Sequence, residues 1–121
     1  MKIVITAKDS YLNNYVDTRF GRANGFLLFD SETKKITFFD NEQNLNATQG
    51  AGIQTAQNII NIGADVVLTG HCGPKAFRVL SAAKVKVFTN LSSTTCAKAL
   101  DDYLNNRLKE AECADVEGHW V

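Results

Sequence analysis

What this chain lacks excludes several classes of protein. Its three cysteines, Cys72, Cys96 and Cys113, are odd in number and widely spaced, with no CxxC pair. With no secretory signal before them, they argue against a disulfide framework and read as free thiols. No stretch approaches the ~18 consecutive apolar residues of a membrane span. Met1 and Lys2 are followed only by the short apolar run Ile3 to Ile5. Neither sign of charge is in excess, because thirteen basic and thirteen acidic residues cancel. That removes the broad positive field from which affinity for nucleic acid or an anionic membrane mostly comes. The expectation is a cytoplasmic protein with no nucleic-acid or membrane partner, in which any anion site is local.

What is present is an ordinary globular composition, 45% hydrophobic and 21% charged over 121 residues, enough for one core and one domain. Lys2 to Ala7 is a β-branched run suited to a buried strand, and Gly25 to Asp30 with Lys35 to Asp40 reads as a hairpin. Between them lies a polar stretch, residues 8 to 24, too long for a tight turn. After a linker, Asn41 to Gln49, Ile53, Ala56, Ile59 and Ile60 recur with a helical period that Gly63 can end. A Val-rich strand from Asp65 to Thr69 runs into Gly70-His71-Cys72-Gly73-Pro74, with Pro74 suited to the first position of a helix carrying Phe77, Val79 and Leu80. Val85 to Thr89 is the last strand. Ser92 or Ser93 can cap a final helix in which Cys96, Leu100, Tyr103, Leu104 and Leu108 recur. The expected order is βββαβαβα in a domain spanning 1–109, with a flexible or docking tail over 110–121.

Strands joined through helices run parallel with right-handed crossovers, so the first, fourth and fifth strands are expected to be parallel and the hairpin to extend the other side. The expected architecture is α/β: a five-stranded mixed sheet of order 3-2-1-4-5 with helices on both faces. Its switch point lies at the carboxyl end of the first strand, where crevices open. The segments leaving the carboxyl ends there gather Lys8, Arg19, Arg22, His71, Cys72 and Cys96, and two of them enter helix N-termini that favour an anion. Thiolate and imidazole suit soft or borderline metals, and a helix N-terminus raises the thiolate fraction of a cysteine. Each residue also has a plain alternative. Arg19 and Arg22 can be surface ion pairs, Phe20 can pack beneath its loop, Gly73 and Pro74 can merely shape a turn, and Cys72 or Cys96 can face the core.

Three other readings find little support. Gly50-Ala51-Gly52-Ile53-Gln54-Thr55 has Thr55 where a dinucleotide fingerprint needs its third glycine, and it follows a polar linker in place of a strand. A two-metal nuclease needs clustered carboxylates, and the first strand has none. A hydrolase acting through Cys72 and His71 has no assignable orienting group.

Several segments taken together resemble the dinitrogenase iron-molybdenum cofactor biosynthesis family over about residues 2 to 108. They are Arg19-Phe20-Gly21-Arg22-Ala23 before Phe26 and Asp30; Gly50-Ala51-Gly52-Ile53 with Ala56; and Gly63-Ala64-Asp65-Val66-Val67 leading to Gly70-His71-Cys72-Gly73-Pro74-Lys75-Ala76-Phe77. The resemblance implies a ribonuclease H-like three-layer fold and non-catalytic binding, storage or transfer of a metal-sulfur cluster containing molybdenum, iron or copper. It implies contacts from Arg19, Phe20, Arg22, Gly70 and Gly73, with His71, Cys72 and Cys96 as candidate metal ligands. The implied partners are the cluster and its donor or acceptor proteins, for a monomer or weak dimer. The competing expectation is a metal-independent interaction or regulatory module that docks a partner through the same edge and a tail bearing Trp120, a residue type enriched at binding hot spots.

Overall fold

The computed structural model describes residues 1–41 and 50–112. Residues 42–49 of the expected linker, and the tail beyond residue 112 with Cys113, His119 and Trp120, lie outside the described residues.

Ile3, Val4 and Ile5 have no exposed surface, because their strand, β1 (Lys2–Ala7), is central and covered on both faces. It pairs antiparallel with β2 (Gly25–Asp30), which pairs antiparallel with β3 (Ile36–Asp40). On its other side β1 pairs parallel with β4 (Val66–Leu68), and β4 pairs parallel with β5 (Lys86–Phe88). The order is β3-β2-β1-β4-β5, as the sequence predicts.

Alternation along β1 divides the core. Val4 and Val67 face α1 (Ala51–Asn61) and α2 (Pro74–Ala82), packing with Ala56, Ile59, Ala76 and Leu80. Ile3, Ile5 and Leu68 face α3 (Cys96–Leu104), packing with Ala99 and Leu100. Phe88 meets Tyr103 edge to face there at 5.1 Å. Helices therefore cover both faces.

Three local details depart from the sequence reading. Thr95, not Ser92 or Ser93, caps α3, its Oγ1 accepting from the Lys98 amide at 3.1 Å. The same helix stops at Leu104, short of Leu108, because Asn106 turns left-handed at φ 58°. The Asn106 and Arg107 amides then close on the carbonyls of Tyr103 and Asp102. Ile53, expected on the buried face of α1, is 39% exposed; Ala56 and Ile59 are buried as expected, joined by Ala51, Gly52 and Thr55, and Ile60 packs partly buried against the same core. Gly63 ends α1 at φ 87°, as expected.

Candidate functional site

The three loops at the carboxyl ends of β1, β4 and β5 are joined by main-chain hydrogen bonds. The segment after β1 crosses the whole sheet edge. Its Val16 amide donates to the Thr94 carbonyl at 2.9 Å on the β5 side. On the β4 side the His71 amide donates to Thr18 at 2.8 Å and the Phe20 amide to His71 at 3.2 Å. Thr6 fixes the middle: its hydroxyl lies 2.6 Å from the Asp17 carbonyl oxygen and 2.9 Å from the Thr69 hydroxyl, all buried. Val16 belongs to the α3-side core and Phe20 to the α1/α2-side core, so the chain passes from one face to the other between them.

Two glycines permit the close approach. A Cβ on Gly70 would lie 2.6 Å from Thr18 Cα, and one on Gly21 would lie 2.7 Å from the Gly52 nitrogen in the first turn of α1. Gly70, predicted as a cofactor contact, is required here for packing. Asn41 Nδ2 reaches the carbonyls of Gly21 and Ala23, and the Thr55 hydroxyl donates to Gly21 at 3.1 Å. Asp17, only 4% exposed, accepts from the amides of Arg19 and Asn24 at 3.2 Å and lies 3.8 Å from Arg19 Nε. Asp17, Asn41 and Thr55 hold the arginine loop and were not singled out from sequence. Asp17 is signalled by its two-residue spacing to Arg19, an Asx-turn pattern; the others have no local signal, because their partners lie 14 to 34 residues away.

The predicted residues divide. Arg19 is exposed, Arg22 partly buried, and Phe20, Gly70 and Gly73 buried beneath or beside them. His71 is exposed but its neighbour Cys72 has no exposed surface, so the two side chains leave the backbone in different directions. Cys72 packs with the α1/α2 core and Cys96 with the α3 core, on opposite faces of the sheet. The structure does not bring the two thiols together. Burial, reinforced by the carboxylates of Asp9 and Asp17, pushes the Cys96 thiol up to about 11, which keeps it protonated at neutral pH. Among the described residues no three His, Cys, Asp or Glu side chains gather as a metal-ion site.

The helix N-termini also differ. At α3 the Cys96 and Ala97 amides are taken by the carbonyls of Asn14 and Leu12, and Lys98 by Thr95. At α2 no side chain caps the helix; Gly73 is the N-cap and Pro74 brings no N–H. Of the two expected anion-friendly ends, only the one beside Arg19 and His71 is left without a side-chain cap.

An open mixed α/β sheet with its loops gathered at a switch point is the arrangement at which α/β folds place ligand crevices. The sequence profile of the dinitrogenase iron-molybdenum cofactor family matches residues 1–106, and the chain belongs to that family. It is similar to the apo form of the orange protein from Desulfovibrio gigas, with 38% identity, a TM-score of 0.92, and 95% of this chain and 96% of that one covered. A putative NifB protein from Thermotoga is 28% identical with a TM-score of 0.78, covering 90% and 91%. An uncharacterized protein of Methanocaldococcus jannaschii is 26% identical over 102 residues, 83% of this chain and 86% of that one.

Proposed function

We propose that this chain binds, stores or transfers a pre-assembled metal-sulfur cofactor of iron-molybdenum, molybdenum-copper or iron-sulfur type, without catalysis, and exchanges it with donor or acceptor proteins. The same reading takes the sheet as a ribonuclease H-like scaffold used for binding. The observation that carries it is the arginine loop, stapled across the uncapped start of α2 in a chain of this family. Guanidinium groups and helix-start amides suit a polyanion. With both described thiols buried and no three-donor group among the described residues, the chemistry fits a cargo held as an intact anion more than a metal ion ligated atom by atom. Arg19 and Arg22 would offset its charge, and Cys72 would support the loop from below.

Anaerobic incubation with iron and sulfide, or with tetrathiomolybdate and copper(I), tests this and is expected to yield a stoichiometric coloured complex. Arg19→Gln and Arg22→Gln should each weaken retention, and the loss should shrink as salt rises, because exposed charges are screened over ~8 Å at physiological ionic strength. Cys72→Ser should lower the melting temperature, since it buries a hydroxyl, and keep the complex. Retention of no metal from any of these mixtures would overturn the proposal.

A metal-independent interaction module is the second reading. A groove of about 590 Å³ runs between α2 and the edge strand β5, lined by Phe77, Val85, Val87 and residues 109–112. It could receive a partner without any cluster.

A further inference from the structure

On the α3 side of the same sheet edge lies a separate cavity of about 350 Å³, lined by Lys8, Tyr15, Val16, Thr18, Ser92 and Ser93. Its volume falls within the range of small-molecule sites. Five of the six lining residues carry a hydrogen-bond donor: one ammonium and four hydroxyls. The hydrogen bonds and ion pairs among the described residues leave all five side-chain groups uncommitted. None of the lining residues is acidic. The nearest acidic residues along the chain are turned to their own loop: Asp9 accepts from the Tyr11 amide and Asn14 Nδ2, and Asp17 from the Arg19 and Asn24 amides.

The walls of this cavity are fixed from several directions. Val16 is buried and bonded to Thr94, and the Thr18 carbonyl is held by His71. Tyr15 bridges to Thr95. Ser93 holds a left-handed conformation at φ 55°. A donor-rich, acid-free cavity with one cation is complementary to a compact anion whose oxygens accept hydrogen bonds in several directions. Hydroxyl donors favour oxygen over sulfur, which accepts weakly.

We propose that Lys8, Tyr15, Thr18, Ser92 and Ser93 form a second anion site, distinct from the arginine loop, that takes a small tetrahedral oxyanion. It stands independently of the cluster reading, because it uses none of Arg19, Arg22, His71 or Cys72. The two sites share only the loop that crosses the sheet edge, with Thr18 lining the cavity and Arg19 not among its lining residues.

The test is calorimetric titration of the full chain with inorganic phosphate and with molybdate, each repeated with tetrathiomolybdate as competitor. Both oxyanions are expected to bind one site and to compete with each other, and tetrathiomolybdate is expected to displace them poorly. Lys8→Gln should weaken binding about tenfold, the loss expected for a charge-assisted hydrogen bond. Ser92→Ala should weaken it less, and Arg19→Gln should leave it within about twofold of the parent. Thermal melts on the same samples separate lost binding from lost folding, and Ser92→Ala serves as the second probe if Lys8→Gln unfolds. The proposal is overturned if neither oxyanion saturates a site at millimolar concentration, or if tetrathiomolybdate displaces them from it and binds it more tightly than they do. It is equally overturned if Arg19→Gln costs as much as Lys8→Gln. Cluster retention measured on Lys8→Gln should be unchanged, so either proposal can fail while the other stands.

Discussion

Burial decides what each cysteine can do, and a sequence does not state burial. Cys96 stands one residue into α3 and faces the α3-side core with no exposed surface. Desolvation and two nearby carboxylates disfavour its thiolate. The unfolded thiol releases its proton near 9.0, whereas the folded one holds it to about 11. Stability from this group is therefore complete below pH 9 and is lost as pH rises toward 11. The loss is roughly 2–3 kcal/mol for a shift of this size. Chemical denaturation between pH 8 and 11 should show that decline in the parent and a shallower one in Cys96→Ala. Native Cys96 should also resist alkylation at pH 8; rapid labelling without unfolding would contradict the burial argument.

Elements were more legible than their ends. The βββαβαβα order and the sheet order follow from β-branched runs, helical periodicity and the handedness of crossovers, all of which act locally or through simple topology. The cap of α3 did not follow, because Ser92, Ser93 and Thr95 all offer a hydroxyl, and the choice is made by where the β1 loop crosses to take the Cys96 and Ala97 amides. The arginine loop and the glycine loop are likewise visible as motifs, but their separation from Cys96 is a consequence of which side of the sheet α3 packs on. Two substitutions check the ends of α3. Thr95→Ala should cost about 1 kcal/mol through the lost cap. Asn106→Ala should cost about as much, since alanine is strained in the left-handed region, and Asn106→Gly should not. Urea denaturation midpoints at constant slope would measure both, and an Asn106→Ala protein as stable as the parent would contradict the C-terminal capping account.

At the scale of the molecule, a sheet of five strands has two edges, and β5 is one of them. An edge strand offers unpaired main-chain groups to other chains unless it is short or covered. Here β5 is three residues long, and the Ala111 amide donates to the Val87 carbonyl at 2.8 Å from outside the sheet. Residues 109–112 thus cover the edge and form one wall of the groove over Phe77, Val85 and Val87. With the domain boundary expected just before this contact, a chain ending at Lys109 should still fold, because the core clusters and all eight elements of the described residues lie before it. Loss of one net hydrogen bond should lower its melting temperature by about 4 °C. It should also expose the Val87 carbonyl above an apolar wall, and the truncated chain should self-associate as its concentration rises while the full chain does not. Sedimentation velocity over a concentration series separates the outcomes. A truncated chain that fails to fold would make the segment part of the domain, whereas one that stays monomeric would show that the shortness of β5 protects the edge without it.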